Sequence, residues 1–178
     1  MKRARFAAVA LALALALLAG GATRARPEAP AAPGKTWAAA DLDRLWVLRL
    51  TPGQDLRQAL QAFAKTNHIK AGFVVTCAGS LTQASLRLAN QEKAQTWGGH
   101  FEIVSLTGTL AENGVHLHAA VSDSTGRTIG GHLVDGCLIY TTAEIVLGQA
   151  KGLRFEREPD PVTTWRELAI HEDSAAAR

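Results

Sequence analysis

The apolar positions along the chain follow two patterns. Between residues 51 and 68 they recur at helical spacing: Leu56, Ala59, Leu60, Phe63 and Ala64 form one stripe, while Arg57, Gln58, Gln61 and Lys65 face away from it. Ahead of the stripe, Thr51-Pro52-Gly53-Gln54 offers a capping hydroxyl, a proline for the first helical position and a glutamine that reaches back; Thr66-Asn67-His68 closes it. After Ile69 the alternation is that of β structure, broken by turn residues at short intervals. Strands are predicted over residues 43–50, 71–76, 84–89, 101–110, 115–122, 128–134, 137–147 and 165–170. Between them fall a turn at Gly79-Ser80, a polar loop over 90–99, a type I′ hairpin turn at Asn113-Gly114, and turns at Asp123-Ser124-Thr125-Gly126 and Asp135-Gly136. The pattern implies an α+β class, with one helix packed on a mainly antiparallel β-sheet.

The same alternation singles out His116-Leu117-His118. In a strand, residues two apart share a face, so both histidines point one way while Val115, Leu117, Ala119 and Val121 form the opposite, core-facing row. If Asp123 pairs with Arg127 across a three-residue loop, facing positions sum to 250, and His118 stands directly opposite His132. Directly opposed Cβ atoms are about 4.5 to 5.5 Å apart, so three imidazoles can converge, with Gly130 and Gly131 keeping the neighbouring surface open. Neutral imidazole suits zinc, nickel, copper or iron, and three histidines with a vacant position is a recurring setting for a metal that keeps a water. The plain alternative is three polar rings on an exposed sheet face.

The remaining histidines read as surface residues: His68 at the helix end, His100 at a strand start and His171 near the charged tail. Glu102 and Glu144 interrupt apolar strands. Glu144 reads as an edge charge that blocks aggregation, whereas Glu102 is left open between an edge charge, a subunit contact and a base beside a metal. There is no Gly-x-Ser-x-Gly elbow, no phosphate-binding loop and no His-Glu-x-x-His helix, so no catalytic residue is assigned and enzymatic activity is undecided.

Charge and composition then set the compartment. The 178 residues are 47% hydrophobic and 20% charged, enough for one core. The formal charge of +3 misleads, because Lys2, Arg3, Arg5 and Arg24 lie in the first 25 residues, which hold no acid. Beyond residue 25 there are 15 basic and 16 acidic side chains, which argues against a phosphate-binding surface spread over the domain. The basic start, the apolar run over 6–18 and the small residues after it form a secretory signal peptide over 1–25, too short an apolar stretch for a spanning anchor. A proline-rich linker over 26–40, a folded domain over 41–172 and a flexible tail over 173–178 complete the expected organisation, in a periplasmic or secreted protein. Cys77 and Cys137 sit in apolar runs and read as buried free thiols rather than as a disulfide.

Taken in order, several of these runs resemble a known family. Pro52-Gly53-Gln54-Asp55-Leu56, Ala71-Gly72, Gly79-Ser80-Leu81 and Leu86-Arg87-Leu88-Ala89-Asn90 come first. Residues 101–110, His116-Leu117-His118, Gly126, Gly130-Gly131-His132-Leu133 and Thr141-Thr142-Ala143-Glu144 follow. Together, over residues 45–168, they resemble the plant and prokaryote conserved (PPC) domain, although Thr163-Thr164 stands where the family usually has Thr-Gly. The resemblance implies a PPC-like α+β trimer and, in prokaryotic members, a metal on histidines, here His116, His118 and His132. The cofactor it implies is a divalent transition metal, zinc first. In plants the domain follows an AT-hook; Arg24-Ala25-Arg26-Pro27 lacks that motif's central glycine and straddles the expected cleavage region, so DNA binding is the weakest implication. The leading expectation is an exported, metal-binding homotrimeric module that holds a small molecule or protein partner, with no membrane anchor after cleavage. The rival is a small three-histidine metalloenzyme using metal-bound water.

Overall fold

The computed structural model describes residues 37–173. The expected signal peptide, most of the linker and nearly all of the tail lie outside the described residues. Within them, β1 (Leu42–Leu50) leads to α1 (Leu56–Thr66), then β2 (Gly72–Arg87), β3 (Gln95–Ala111), β4 (Gly114–Ser122), β5 (Thr128–Leu133) and β6 (Leu138–Ala150). A final pair, β7 (Leu153–Pro159) and β8 (Arg166–Glu172), forms its own two-stranded sheet. The other six strands form one antiparallel sheet in the order β1-β6-β2-β3-β4-β5, and the far end of β2 also pairs with β5. That last pairing sets Arg87 opposite His132.

The α+β expectation, one helix packed on a mainly antiparallel sheet, is corrected by this architecture. The described chain is mostly antiparallel β-sheet, with 62% of it in strands and 8% in one short helix. Strand side chains build the core: Leu81, Leu86, Leu110, Leu117, Val121, Leu133, Ile139, Ile145 and Leu147 are all fully buried. The helix adds Leu56, Leu60 and Ala64 from the predicted stripe. It also begins later than the capping motif suggests. Residues 53–56 are tied to the start of β6 by Gly53 N–H to Ile139 O, Ile139 N–H to Gln54 O and Leu56 N–H to Cys137 O, each 2.9 Å, so Pro52-Gly53 forms a turn, with Gly53 at φ 81°, and Asp55 is extended ahead of the helix. The cap is Asp55, whose carboxylate accepts from the backbone N–H groups of Gln58 (2.9 Å) and Gly136 (2.5 Å). Gln54 still reaches back to the Thr51 N–H at 2.7 Å, but as part of a turn ahead of the helix.

The strands are fewer breaks and longer runs than the pattern implies. Gly79-Ser80 lies inside β2, where a Cβ on Gly79 would fall 2.2 Å from the Thr142 carbonyl oxygen of β6. The glycine permits a close crossing of two strands, not a turn. Part of the predicted polar loop belongs to β3, which starts at Gln95. Glu144 is not on an edge, since β6 pairs with both β1 and β2 and sets it opposite Arg49 and Ala78. Cys77 and Cys137 are free thiols, Cys77 half-buried and Cys137 buried, and burial pushes both up to about 11. Among the described residues no helix is long and apolar enough to cross a membrane.

Candidate metal centre

Strand β4 carries the site because its alternation is strict. Leu117, Ala119 and Val121 are buried in the core, which turns His116 and His118 to the other face. The β4–β5 hairpin then sets the register. The Asp123 carboxylate accepts from Thr125 N–H (2.9 Å), the Thr125 hydroxyl (2.6 Å) and Arg127 N–H (3.1 Å), and Asp123 N–H donates to Arg127 O (3.0 Å). These bonds, led by the Thr125 hydroxyl, hold the exposed Asp123 carboxyl below the usual range. With that loop closed, His118 faces His132, as the hairpin arithmetic requires.

The three rings meet. Centroids are 5.0 Å apart for His116 and His118, 4.9 Å for His116 and His132, and 5.4 Å for His118 and His132. One ring nitrogen from each lies within 4.8 Å of the others. The Nε2 atoms of His116 and His118 are 3.2 Å apart, and the buried Nδ1 of His132 has no hydrogen-bond partner. Leaving a buried polar atom unpaired costs about 1–3 kcal/mol, so this nitrogen is suited to a ligand the protein itself does not supply. Burial, followed by the neighbouring His116, Arg87, His118 and Arg57, lowers His132 to about 4. Burial, then Arg157 and His118, lowers His116 as well, against an opposing pull from Glu167. Both rings are therefore neutral at pH 7, the form that binds metals. The donor set fits a divalent transition metal with a position left open.

Two further features support the cluster. Gly108 of β3, at φ 140°, passes so close to β4 that a Cβ there would lie 1.9 Å from the His116 carbonyl oxygen. Arg157 of β7 is buried against the site, 8% exposed. Its Nη1 donates to His116 Nδ1 at 3.3 Å, and its Nη2 donates to the Thr109 hydroxyl. The Asn113 side-chain oxygen accepts from Arg157 N–H (3.2 Å), and a Cβ on Gly114 would approach Arg157 Cγ to 3.2 Å. This accounts for Asn113-Gly114 in place of the expected type I′ turn. The loop is Glu112-Asn113, Gly114 already pairs with Ala111, and neither Asn113 nor Gly114 takes a positive φ.

The cluster borders two cavities. One of about 870 Å³ reaches His116 and His132 past Arg87, Arg157, Arg166 and Trp165. A smaller one, about 250 Å³, touches His116, His118 and Arg157 from the side of Thr107 and Leu168. Glu102 is not at the site: it faces Ser122, whereas His118 faces Thr107, five positions further along β3 and so about 17 Å away at ~3.4 Å per residue. His100 stacks on Tyr140, with ring centroids 4.2 Å apart, and His68 lies 3.8 Å from Glu112. His171 joins Glu156 and Glu158 in a second group of ligand-type atoms within 4.8 Å of one another, which the sequence reading missed. Arg157 was missed as well. Its signal is period 2 in β7, where Leu153, Phe155 and Arg157 share a face and the third is a charge in an otherwise apolar row.

Residues 38–151 match the model of the Plants and Prokaryotes Conserved (PCC) domain. The chain is 53% identical over 133 residues to the bifunctional protein GlmU of a Synechococcus strain, covering 75% of this chain but only 21% of that protein. It thus spans about a fifth of the length of that curated relative. A hypothetical protein of Salmonella superposes with a TM-score of 0.73 at 42% identity, covering 76% of this chain and 97% of the other. The metal-containing protein AF0104 of Archaeoglobus fulgidus shares the fold at a TM-score of 0.65 and 22% identity, covering 74% and 96%.

Proposed function

The chain belongs to the Plants and Prokaryotes Conserved domain family, and from that premise we propose that it is an exported module that holds a divalent transition metal, zinc first among them, on His116, His118 and His132. One observation carries the reading: three imidazole donors gather within 4.8 Å, and one of their nitrogens, His132 Nδ1, is buried without a partner. The description of AF0104 as metal-containing agrees with it. When bound, the metal supplies a Lewis-acidic positive charge beside the cleft. A histidine that gives Nε2 to a metal carries its proton on Nδ1, so His116 serves either the metal or the Arg157 guanidinium, not both.

The role of the module is to hold a ligand or partner at that position. Its homotrimeric state is part of the proposal, supported by β1, an edge strand that exposes Leu42, Leu45 and Val47. Export is supported by the basic and apolar pattern of residues 1–25. Elemental analysis of protein purified from its native compartment tests the metal, with about one transition-metal ion per chain expected. N-terminal sequencing tests export, with a start between Ala22 and Arg26 expected and a retained Met1 against it. Mass measurement in solution tests the assembly.

A further inference from the structure

The larger cleft beside the histidines is lined by four arginines, Arg57, Arg87, Arg157 and Arg166, and they are not in the same electrostatic situation. Arg57 is paired with Asp135 at 2.7 Å. The other three have no carboxylate within ion-pair distance among the described residues. Arg157 bonds only neutral groups, His116 Nδ1 and the Thr109 hydroxyl, although it is nearly buried. Arg87 lies with its guanidinium over the Trp165 ring, 5.4 Å from the centroid. Arg166 donates to the Arg157 carbonyl oxygen and is otherwise exposed. Glu92 and Glu167 line the same cleft but stand beyond ion-pair distance from all three, so that Glu167 acts on Arg157 only at longer range.

A buried guanidinium without an anionic partner is costly, and guanidinium groups match carboxylate and phosphate oxygens with two parallel N–H donors. The cleft, about 870 Å³, has room for a small organic molecule. We propose that this cleft binds a small-molecule oxyanion, a carboxylate or phosphate group gripped by Arg157, Arg87 and Arg166, with the ligand's other end toward His116 and His132. The inference names the ligand class for the site described above and rests on the metal reading only for what stands at that far end. Trp165, 62% exposed at the rim, reports on the event, because an anion that draws Arg87 off its ring changes the indole environment.

The test is calorimetric titration of the full purified protein with inorganic phosphate and, separately, with succinate at low ionic strength, with Trp fluorescence recorded in parallel. Metal-loaded and chelator-treated samples are both titrated, and their metal content is measured. Saturable binding with Kd about 1 mM or tighter is expected for at least one probe in both samples. Phosphate without succinate assigns a phosphoryl ligand, and the reverse assigns a carboxylate. The Arg87→Gln/Arg166→Gln double variant, which leaves buried Arg157 in place, is expected to weaken binding at least about tenfold. No saturable binding of either probe, or binding that the double variant leaves unchanged, overturns the cleft proposal. Protein that takes up no metal even when loaded, yet binds the oxyanion, overturns the metal reading alone, and protein that holds metal when loaded and binds neither probe overturns the cleft alone.

Discussion

Among the described residues, two groups of side chains bring ligand-type atoms within 4.8 Å of one another, and they differ in what those atoms already do. On the two-stranded sheet, His171 Nε2 is 2.8 Å from the Glu158 carboxylate, and Glu156 is paired with Arg154. On the six-stranded sheet, His116, His118 and His132 meet no carboxylate within ion-pair distance among the described residues, and one buried nitrogen is unpartnered. The first group satisfies itself; the second does not. Closeness of ligand-type atoms is therefore a weak criterion for a metal site. A donor that folding has left without a partner is a stronger one.

The largest effect expected from this contrast is on metal content. Replacing His118 with Ala is expected to remove essentially all stoichiometric metal, measured by elemental analysis, while replacing His171 with Ala leaves it unchanged. A His118→Ala protein with full occupancy would reverse the comparison. Stability sharpens it next. Leu117 lies between the two β4 histidines but on the buried face, so Leu117→Ala is expected to lower unfolding free energy by about 2–5 kcal/mol in denaturant titration. His118→Ala, on the open face of the same strand, is expected to cost less than about 1 kcal/mol in metal-free protein.

Gly108→Ala follows. The added methyl would collide with the His116 carbonyl oxygen at a φ that L-residues rarely adopt, and a loss of about 2 kcal/mol or more is expected, with the register under the histidines disturbed. Its check is thermal unfolding together with metal content, since a wild-type melting temperature would mean that β3 and β4 need no such close approach. The smallest effect belongs to the self-satisfied group. The Glu158 and His171 side chains are about half exposed, 47% and 37%, and Glu158→Gln is expected to change stability by less than about 1 kcal/mol. A larger loss in the same titration would show that the two-stranded sheet depends on the pair.

Much of the site can be read from local order alone. The β4 alternation and the three-residue loop from Asp123 to Arg127 are enough to place His118 against His132, because a strand repeats every two residues and a closed hairpin has one register. The apolar stripe of α1 is equally local. What escapes is whatever a distant strand decides. Pro52-Gly53-Gln54 looks like the first turn of a helix, yet the helix starts only at Leu56 because β6, some 80 residues on, offers residues 53–56 backbone partners. Asn113-Gly114 looks like a type I′ turn, yet Asn113 binds Arg157 and Gly114 makes room for it, 44 residues away from Asn113. Gly79-Ser80 looks like a turn and is a crossing with β6.

The sequence by itself determined the periodicities, the β4–β5 register, the convergence of His116 and His118 on one face with His132 opposite, and the charge imbalance of the first 25 residues. Tertiary structure alone decided that the molecule is mostly β-sheet, that β2 returns to β5 and brings Arg87 to His132, and that β7 lays Arg157 against His116. The reason is the range of the forces concerned. Strand period and tight turns follow from the dihedral preferences of a few neighbouring residues, whereas strand order and the burial of a lone guanidinium depend on which remote backbones leave hydrogen-bonding groups to be paired.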